Sequence, residues 1–508
     1  MSAAAAVPPR YRRLRVDLGA SGSLIGLILR WLSLTLILPI IVALIYDESI
    51  RPFVVPLVGG VAVGLILERA CGRRADDIGV REAFAVVAVT WLAAALLGCI
   101  PYLIEGGDIA NPIDAYFETM SGFTTTGSSV MSDIASHSQS ILFWRSLTQW
   151  LGGMGIIVLA IAVLNQAGPG GKALLQQEAP GPDAEKLTPR LRDTALRLWI
   201  IYLGLSVALA LSLYVVGLFD IDQGMNLYNA ITHAFTTMST GGFSPEARSI
   251  EAFGWMSQLL LAVFTVIAGA SFALWYRTAR GDLRAAPRDG EFRVYLALLV
   301  ALSVLVGIAL LATTDADWLS AFGQGAFQVI SLMTTTGYAS QDFAPWTAFA
   351  LLALFAAMFI GGCAGSTSGA IKVIRIRFAI GSARRDIQTA VHPEAVLPVR
   401  SNGKPVREAA LQGATAFIGL YLLTFAVGAA LILFIAMLHG AELGAFDAMV
   451  AAATSIGNVG PGVGAAGPMG SYAAYPAEAK VTMIALMWVG RLELIPVFVL
   501  LTRAYWLR

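Results

Sequence analysis

Long apolar segments alternate with short polar ones along the whole chain of 508 residues. A helix that crosses the hydrocarbon core of a membrane needs about 20 apolar residues. We predict ten membrane spans on this basis. They lie at residues 24–46, 52–69, 83–104, 142–164, 195–218, 255–276, 293–313, 346–380, 410–437 and 480–502. The pattern predicts an all-α integral membrane protein.

Four shorter segments of helical length lie between spans, at residues 112–123, 225–236, 321–333 and 443–453. Each is too short to cross the bilayer. Irregular backbone at membrane depth is tolerated where it is buried in protein or lines a water-filled cavity. The C-terminal end of a helix also carries partial negative charge, which favours a cation beyond it. We therefore predict four half-crossing pore helices.

A segment that contains hydroxyl residues and glycine follows each predicted pore helix, and we call these the four filter segments. Aligned on Gly127, Gly241, Gly337 and Gly457, each has Thr or Ser two residues before the glycine. Glycine permits the backbone angles that turn carbonyls inward, and rings of carbonyls replace the water around potassium. Close helix packing would explain one such loop, but four at the same offset favour ion coordination. The predicted ligands are the backbone carbonyls of Thr125, Thr126, Gly127, Ser239, Thr240, Gly241, Thr335, Thr336, Gly337, Ser455, Ile456 and Gly457.

Composition and charge exclude an ordinary soluble enzyme, since 57% of residues are apolar and only 13% are charged. A net charge of +1 neither favours nor excludes an acidic partner, and we expect no nucleic acid. The cysteines and histidines show no metal-ligand spacing. Basic residues cluster in alternate loops, so the positive-inside rule predicts that both termini are cytoplasmic. The filter segments are then extracytoplasmic.

The predicted units repeat in parallel, because each filter segment lies between an outward span and an inward span. Parallel units can surround one central pore, whereas inverted repeats would alternate in orientation. Two N-terminal helices lie outside the repeat. The predicted units are a cytoplasmic leader with these two helices (1–78), and pore repeats at 79–190, 191–285, 286–395 and 396–508. The third repeat is expected to have a broken second helix.

Three further features carry candidate chemistry. The segment 346–380 is too long for one crossing. Its glycine-rich centre is consistent with a GxxxG packing face or with a broken helix whose loop enters the cavity, and the length favours the break. Arg491 lies near mid-membrane and needs a cavity or a partner, but Glu493 lies on a different helix face. Glu118, within the first pore helix, is predicted either to support the filter or to be a solvated loop acid.

The chain resembles the membrane subunit of bacterial Trk/Ktr potassium uptake systems, and the Trk type most closely because of its two extra N-terminal spans. Besides the filter segments, the resemblance rests on Trp150-Leu151-Gly152-Gly153-Met154-Gly155, on residues 361–369, and on Gly490-Arg491-Leu492-Glu493. It covers nearly the whole chain. The filter segments differ from the TVGYG sequence of potassium channels, which leads us to expect weaker selectivity over sodium.

The resemblance implies a homodimer with one pore per subunit in the bacterial inner membrane, in contact with membrane lipid and with a cytoplasmic nucleotide-binding (NAD/ATP) regulatory subunit. It also implies that Arg491 projects into the pore below the filter and that the glycine-rich loop acts as a gate. The gate residues are then Gly361, Gly362, Cys363, Ala364, Gly365, Ser366, Thr367, Ser368, Gly369 and Lys372, with Lys372 towards the cytoplasmic end.

The favoured function is potassium uptake through a gated, channel-like pore, with potassium as both ligand and substrate. The alternative is a symporter that couples potassium to sodium or protons. A symporter would need a relay of buried acidic residues, and the spans contain few besides Glu493. The spans show no nucleophile, metal cluster or acid–base pair, so we predict no enzyme activity and no cofactor in this chain. The GxGxxG sequence at 462–467 lacks the strand and helix that a dinucleotide site requires.

Overall fold

The structure, a computed structural model, describes residues 18–72, 80–164 and 191–507. The domain boundary predicted at 78/79 lies outside these ranges, and the boundary at 190/191 lies at their edge. The N-terminal leader and most of the loop between the fourth and fifth predicted spans also lie outside the described residues.

The described chain is predominantly helical, in the order that the four repeats predict. The N-terminal elements are α1 (Leu18–Leu34), α2 (Ile37–Ile45) and α3 (Arg51–Ala70). The first repeat contains α4 (Val80–Gly98), α5 (Ile100–Glu105), α6 (Pro112–Phe123) and α7 (Gln139–Leu164). The second contains α8 (Leu191–Leu218), α9 (Leu227–Met238), α10 (Trp255–Ala268) and α11 (Phe272–Ala279), and α12 (Ala285–Arg288) leads into the third.

The third repeat contains α13 (Gly290–Thr313), α14 (Trp318–Met333), α15 (Ala348–Ala357) and α16 (Val373–Val391). A small hairpin of β1 (Arg400–Ser401) and β2 (Lys404–Pro405) follows. The fourth repeat contains α17 (Glu408–Leu438), α18 (Ala445–Gly457), α19 (Ala477–Arg491), α20 (Ile495–Leu500) and α21 (Arg503–Leu507). Short 3-10 turns lie at Gly107–Ile109, Ile134–Ser136, Ser249–Ala252, Gly464–Ala466 and Tyr472–Ala474.

Six helical segments within the described ranges are long and apolar enough to cross a membrane, and they match six predicted spans. Their apolar side chains include many that are exposed on the outside of the bundle, such as Leu44, Leu211 and Leu423. Threonine and serine residues are buried at its centre. A protein with apolar groups outside and polar groups inside is suited to lipid rather than to water. The chain is therefore a multi-pass membrane protein.

The sixth predicted span differs from the prediction, because it is two helices, α10 and α11, bent by 99°. The break lies at residues 269–271, where backbone groups bond to the loop 361–369 instead of continuing the helix. Cys363 N donates to Gly269 O at 2.8 Å, and Phe272 N donates to Gly365 O at 3.1 Å. A tertiary partner therefore satisfies the freed backbone groups, which a single apolar segment gives no means of foreseeing.

The pore helices are α6, α9, α14 and α18, and their starts depend on local capping. The side chains of Asn111, Asn226 and Asp317 accept hydrogen bonds from the first turns of α6, α9 and α14. Such caps satisfy amides that have no partner within the helix. The predicted bounds of α6 are confirmed, while α18 extends to Gly457, further than predicted. All four helices end at the centre of the bundle.

Candidate ion-conduction site

The backbone turns in the same way after each of the four pore helices. Two residues, separated by one other, have a positive φ, which residues other than glycine rarely adopt. The second of the two is always glycine. The pairs are Thr125 (53°) and Gly127 (84°), Thr240 (52°) and Gly242 (77°), Thr335 (59°) and Gly337 (81°), and Asn458 (54°) and Gly460 (109°). These pairs define the equivalent positions of the four segments.

The residue between the members of each pair is held by the preceding pore helix. Its amide donates to a carbonyl near the end of that helix. The four bonds run from Thr126 to Ser121 (2.8 Å), from Gly241 to Thr236 (2.8 Å), from Thr336 to Ser331 (2.8 Å) and from Val459 to Thr454 (2.9 Å). We call Thr126, Gly241, Thr336 and Val459 the ring residues.

The four segments form a closed ring in chain order. A Cβ atom built on Gly127 would lie 2.2 Å from the carbonyl oxygen of Gly241, the ring residue of the next segment. The corresponding distances from the added Cβ to the neighbouring carbonyl oxygen are 1.8 Å from Gly242 to Thr336 O, 2.1 Å from Gly337 to Val459 O, and 2.7 Å from Gly460 back to Thr126 O. Glycine is therefore required at these positions both by φ and by the neighbouring carbonyl. A closed ring of carbonyl groups is how potassium channels replace the hydration shell of the ion.

This geometry corrects the sequence alignment of the second segment. The glycine equivalent to Gly127 is Gly242, not Gly241, so the alignment is wrong by one residue. Ser239 lies at the C-terminal cap of α9, before the two residues of positive φ. The Gly241-Gly242 pair hides this register, because either glycine fits the hydroxyl pattern.

The fourth segment is displaced by three residues, because the equivalent glycine is Gly460 rather than Gly457. Ser455 and Ile456 are inside α18 and not in the ring. The Ile456 carbonyl instead faces the backbone of Gly490, where an added Cβ would lie 2.0 Å from it. The signal that identifies Gly460 is Asn458-Val459-Gly460, which repeats the Thr-x-Gly spacing of the other segments.

Hydroxyl and amide side chains support the ring from behind. The hydroxyl groups of Thr124 and Thr126 are 2.7 Å apart, and those of Thr334 and Thr336 are 2.8 Å apart. Asn458 Nδ2 donates to Thr126 Oγ1 at 3.0 Å, which joins the fourth segment to the first. The hydroxyl residues therefore stabilise the backbone path of the ring.

Glu118 is completely buried behind the first filter segment, which excludes the interpretation of a solvated acid. Its carboxylate accepts hydrogen bonds from Val130 N at 2.9 Å and from Arg145 Nε at 2.6 Å. Arg145 also donates to Ser244 O at 2.9 Å and lies 3.6 Å above the ring of Phe243. The ion pair joins the chain after the first filter segment to the chain after the second.

The break predicted in 346–380 is present between α15 and α16, and its loop lies against the ends of three pore helices. Thr367 Oγ1 donates to Met238 O at 3.0 Å. Gly369 N donates to Thr335 Oγ1 at 2.7 Å, and Ala370 N donates to Gly457 O at 3.0 Å. The loop thus contacts the second, third and fourth repeats directly below the ring.

Arg491 connects the same loop to the first repeat. Its buried guanidinium donates to Thr367 O at 2.8 Å and to Gly152 O at 3.1 Å. Glu493 pairs with Arg375 rather than with Arg491. The loop is therefore tied to all four repeats.

The remaining loop residues are also buried or bonded. Lys372, predicted towards the cytoplasmic end of the loop, is buried and turns back to donate to the carbonyl of Ser368. Ala364 N donates to Glu291 Oε1 at 2.7 Å, and Ser366 Oγ donates to Cys363 O at 2.7 Å. The loop has one ordered path with bonds along its length.

An outer clamp joins His137, in the loop after the first filter segment, to Glu105, the last residue of α5, and to Asp108, in the 3-10 turn before α6. The His137 ring is 3.0 Å from Glu105 and 2.7 Å from Asp108. Burial lowers the pKa of His137, but the hydrogen bonds to both carboxylates outweigh burial and raise it above its ordinary value. Burial raises the pKa of Asp108, yet bonds from Ser132 and His137 lower it overall. The clamp therefore favours a charged imidazolium between two carboxylates.

Fold and site together define a multi-pass membrane protein in which the ends of four half-crossing helices hold one closed ring of carbonyl groups. The family model described as TrkH, cation transport protein, matches residues 60–506. The chain belongs to the TrkH family of cation transport proteins. This confirms the resemblance to the Trk-type subunit.

Individual relatives match over nearly their full length. The Trk system potassium uptake protein TrkH of Halomonas elongata is 35% identical over 95% of this chain and 98% of its own. The protein of the same name from Escherichia coli K12 is 34% identical over the same shares. The crystal structure of the potassium transporter TrkH from Vibrio parahaemolyticus superposes with a TM-score of 0.85 at 31% identity, and covers 96% of this chain and 99% of that one.

Proposed function

We propose that this chain takes up potassium across the bacterial inner membrane through a gated, channel-like pore. The observation that carries the proposal is the closed ring, in which each filter glycine meets the carbonyl of the next segment. The potassium uptake relatives, aligned over nearly the whole chain, support potassium as the ion. A ring of backbone carbonyls binds a dehydrated monovalent cation without any titrating group.

The membrane potential supplies the driving force in this proposal. Moving one elementary charge through 100 mV releases about 2.3 kcal/mol. The ends of α6, α9, α14 and α18 direct partial negative charge towards the inner side of the ring. Cations are therefore favoured along the same axis that the carbonyls surround.

The loop 361–369 is the proposed gate. In the structure it is held below the ring by Thr367, Gly369 and Arg491. Conduction then requires these bonds to break so that the loop leaves the axis. Each is a hydrogen bond of modest net worth, about 1 kcal/mol for a neutral pair, so a regulatory partner can shift the equilibrium.

The test is cation flux into liposomes that contain only this chain, under a set membrane potential without sodium or proton gradients. Potassium and rubidium flux is expected to exceed sodium flux, and Gly337→Ser is expected to abolish the difference because its Cβ would meet Val459 O at 2.1 Å. Gly323→Ser is the matched control, since nothing lies within 4 Å of a Cβ at that position. Flux that appears only with a sodium or proton gradient would instead establish a symporter.

We also propose that the chain works as a homodimer with a cytoplasmic nucleotide-binding regulatory subunit. Exposed apolar side chains on α16, beyond the proposed gate, support a protein contact at that end: Ile380, Ile387 and Val391. Native mass spectrometry of the purified chain tests the dimer. Addition of NAD or ATP together with the regulatory subunit tests gating in the liposome assay.

The orientation with both termini in the cytoplasm is likewise a proposal. It follows from the basic loops and places the outer clamp on the extracytoplasmic side. A cysteine introduced at Ser136, in the short turn beside the clamp, is expected to react with a membrane-impermeant thiol reagent added outside intact cells. Labelling only after the cells are opened would reverse the orientation.

A further inference from the structure

Gly241 is the one ring residue of the four that has no side chain. Its φ lies outside the left-handed region, so its backbone does not require glycine. The space behind it is instead occupied, because a Cβ built on Gly241 would lie 2.4 Å from Cδ of Gln149. The Gln149 amide thus fills the volume that a side chain takes at Thr126, Thr336 and Val459.

Gln149 is completely buried and bonds to the filter backbone on both sides of Gly242. Its Nε2 donates to Gly241 O at 2.7 Å, and its Oε1 accepts from Phe243 N at 3.0 Å. It belongs to α7 of the first repeat, one helical turn after Arg145, which donates to Ser244 O at 2.9 Å. One face of α7 therefore holds the second filter segment through backbone hydrogen bonds at Gly241, Phe243 and Ser244.

We infer that Gln149 is a positioning residue that fixes the Gly241 carbonyl in the ring and thereby sets the selectivity for potassium over sodium. This inference rests on the proposed function. A fixed donor determines the direction of a carbonyl and reduces its attraction for a cation. Both the size of the cavity and the field strength of its carbonyls are held to determine this selectivity. Without the donor, the carbonyl is free to turn towards a smaller ion.

The decisive variant is Gln149→Leu. Leucine has a similar volume but makes no hydrogen bond to Gly241 or to Phe243. The ratio of potassium to sodium flux in the liposome assay is expected to fall about fivefold, the equivalent of one hydrogen bond. Gln328→Leu is the matched control. Gln328 is equally buried, but its Nε2 donates to the hydroxyl of Ser340 at 3.1 Å and not to the filter backbone. Its flux ratio is expected to stay at the wild-type value.

The outcomes separate this inference from the proposed function. A wild-type protein without selectivity would overturn the proposed function and, with it, this inference. A selective wild type and an unchanged ratio in Gln149→Leu would overturn the inference alone, because a purely structural role changes the amount of folded protein and not the ratio.

A second pair of variants decides the question if Gln149→Leu does not fold. Gln149→Ala empties the space behind Gly241, and Gly241→Ala places a methyl group there. The double variant fills the space without supplying a donor, so its flux ratio is expected to stay as low as that of Gln149→Ala, while Gly241→Ala alone collides with Gln149. Recovery of the wild-type ratio in the double variant would show that the filled space and not the donor sets the ratio, and would overturn the inference.

Discussion

Replacement of Glu118 by glutamine is expected to destabilise the protein by about 3–5 kcal/mol, the usual cost of removing one partner from a buried ion pair. Glu118 is 0% exposed and Arg145 is 3% exposed, and their charged groups are 2.6 Å apart. Glutamine keeps the shape and one carbonyl acceptor for Val130 N. It leaves the guanidinium buried without its counter-charge, beside the Ser244 carbonyl and the Phe243 ring.

The matched control is Glu251→Gln, which breaks the exposed pair between Arg248 and Glu251. That pair is open to solvent, so the expected cost is about 0–1 kcal/mol. The double variant Glu118→Gln with Arg145→Met is expected to lose less than the two single variants together, because it removes the stranded charge. Unfolding titrations in mixed detergent micelles measure the wild type and the four variants, which are Glu118→Gln, Arg145→Met, their double variant and Glu251→Gln. A cost for Glu118→Gln equal to that of the control would refute the role of the ion pair.

Three further predictions concern the filter, the gate and the outer clamp. Gly460→Ala is expected to abolish selective flux, since φ is 109° there. Gly457→Ala is expected to keep selectivity, because the φ of Gly457 is not left-handed. The opposite result in the flux assay would show that Gly457, as aligned from the sequence, is the filter glycine of the fourth segment. Arg491→Ala is expected to raise basal flux without unfolding the protein, because it frees Thr367 O, and unchanged flux would remove its role in the gate. The raised pKa of His137 gives stability that is complete below its ordinary pKa of about 6.5 and is lost as pH rises through its folded pKa. His137→Gln is therefore expected to abolish the loss of thermal stability that accompanies a rise in pH above about 6.5, and a variant that keeps the wild-type pH dependence would contradict the clamp.

Much of the architecture can be predicted from the sequence because it depends on local chemistry. The length of an apolar segment decides whether it crosses a membrane, and six predicted spans agree with helical segments long enough to do so. The start of α6 follows from Asn111 and Pro112, a cap and a helix-starting proline. The first and third filter segments, with Gly127 and Gly337, need no more than the Thr-Thr-Gly pattern.

The tertiary structure alone decides which groups meet. The register of the second filter segment depends on a left-handed φ at Thr240, which residue type does not reveal. The bend of the sixth span depends on bonds to a loop about 95 residues later in the chain. The role of Gln149 has no local signature either, since it depends on the hydrogen bond to the carbonyl of Gly241, which is distant in the chain. Residue type and period fix the elements, whereas backbone handedness and long-range hydrogen bonds fix the site, because those energies arise only when distant segments come together.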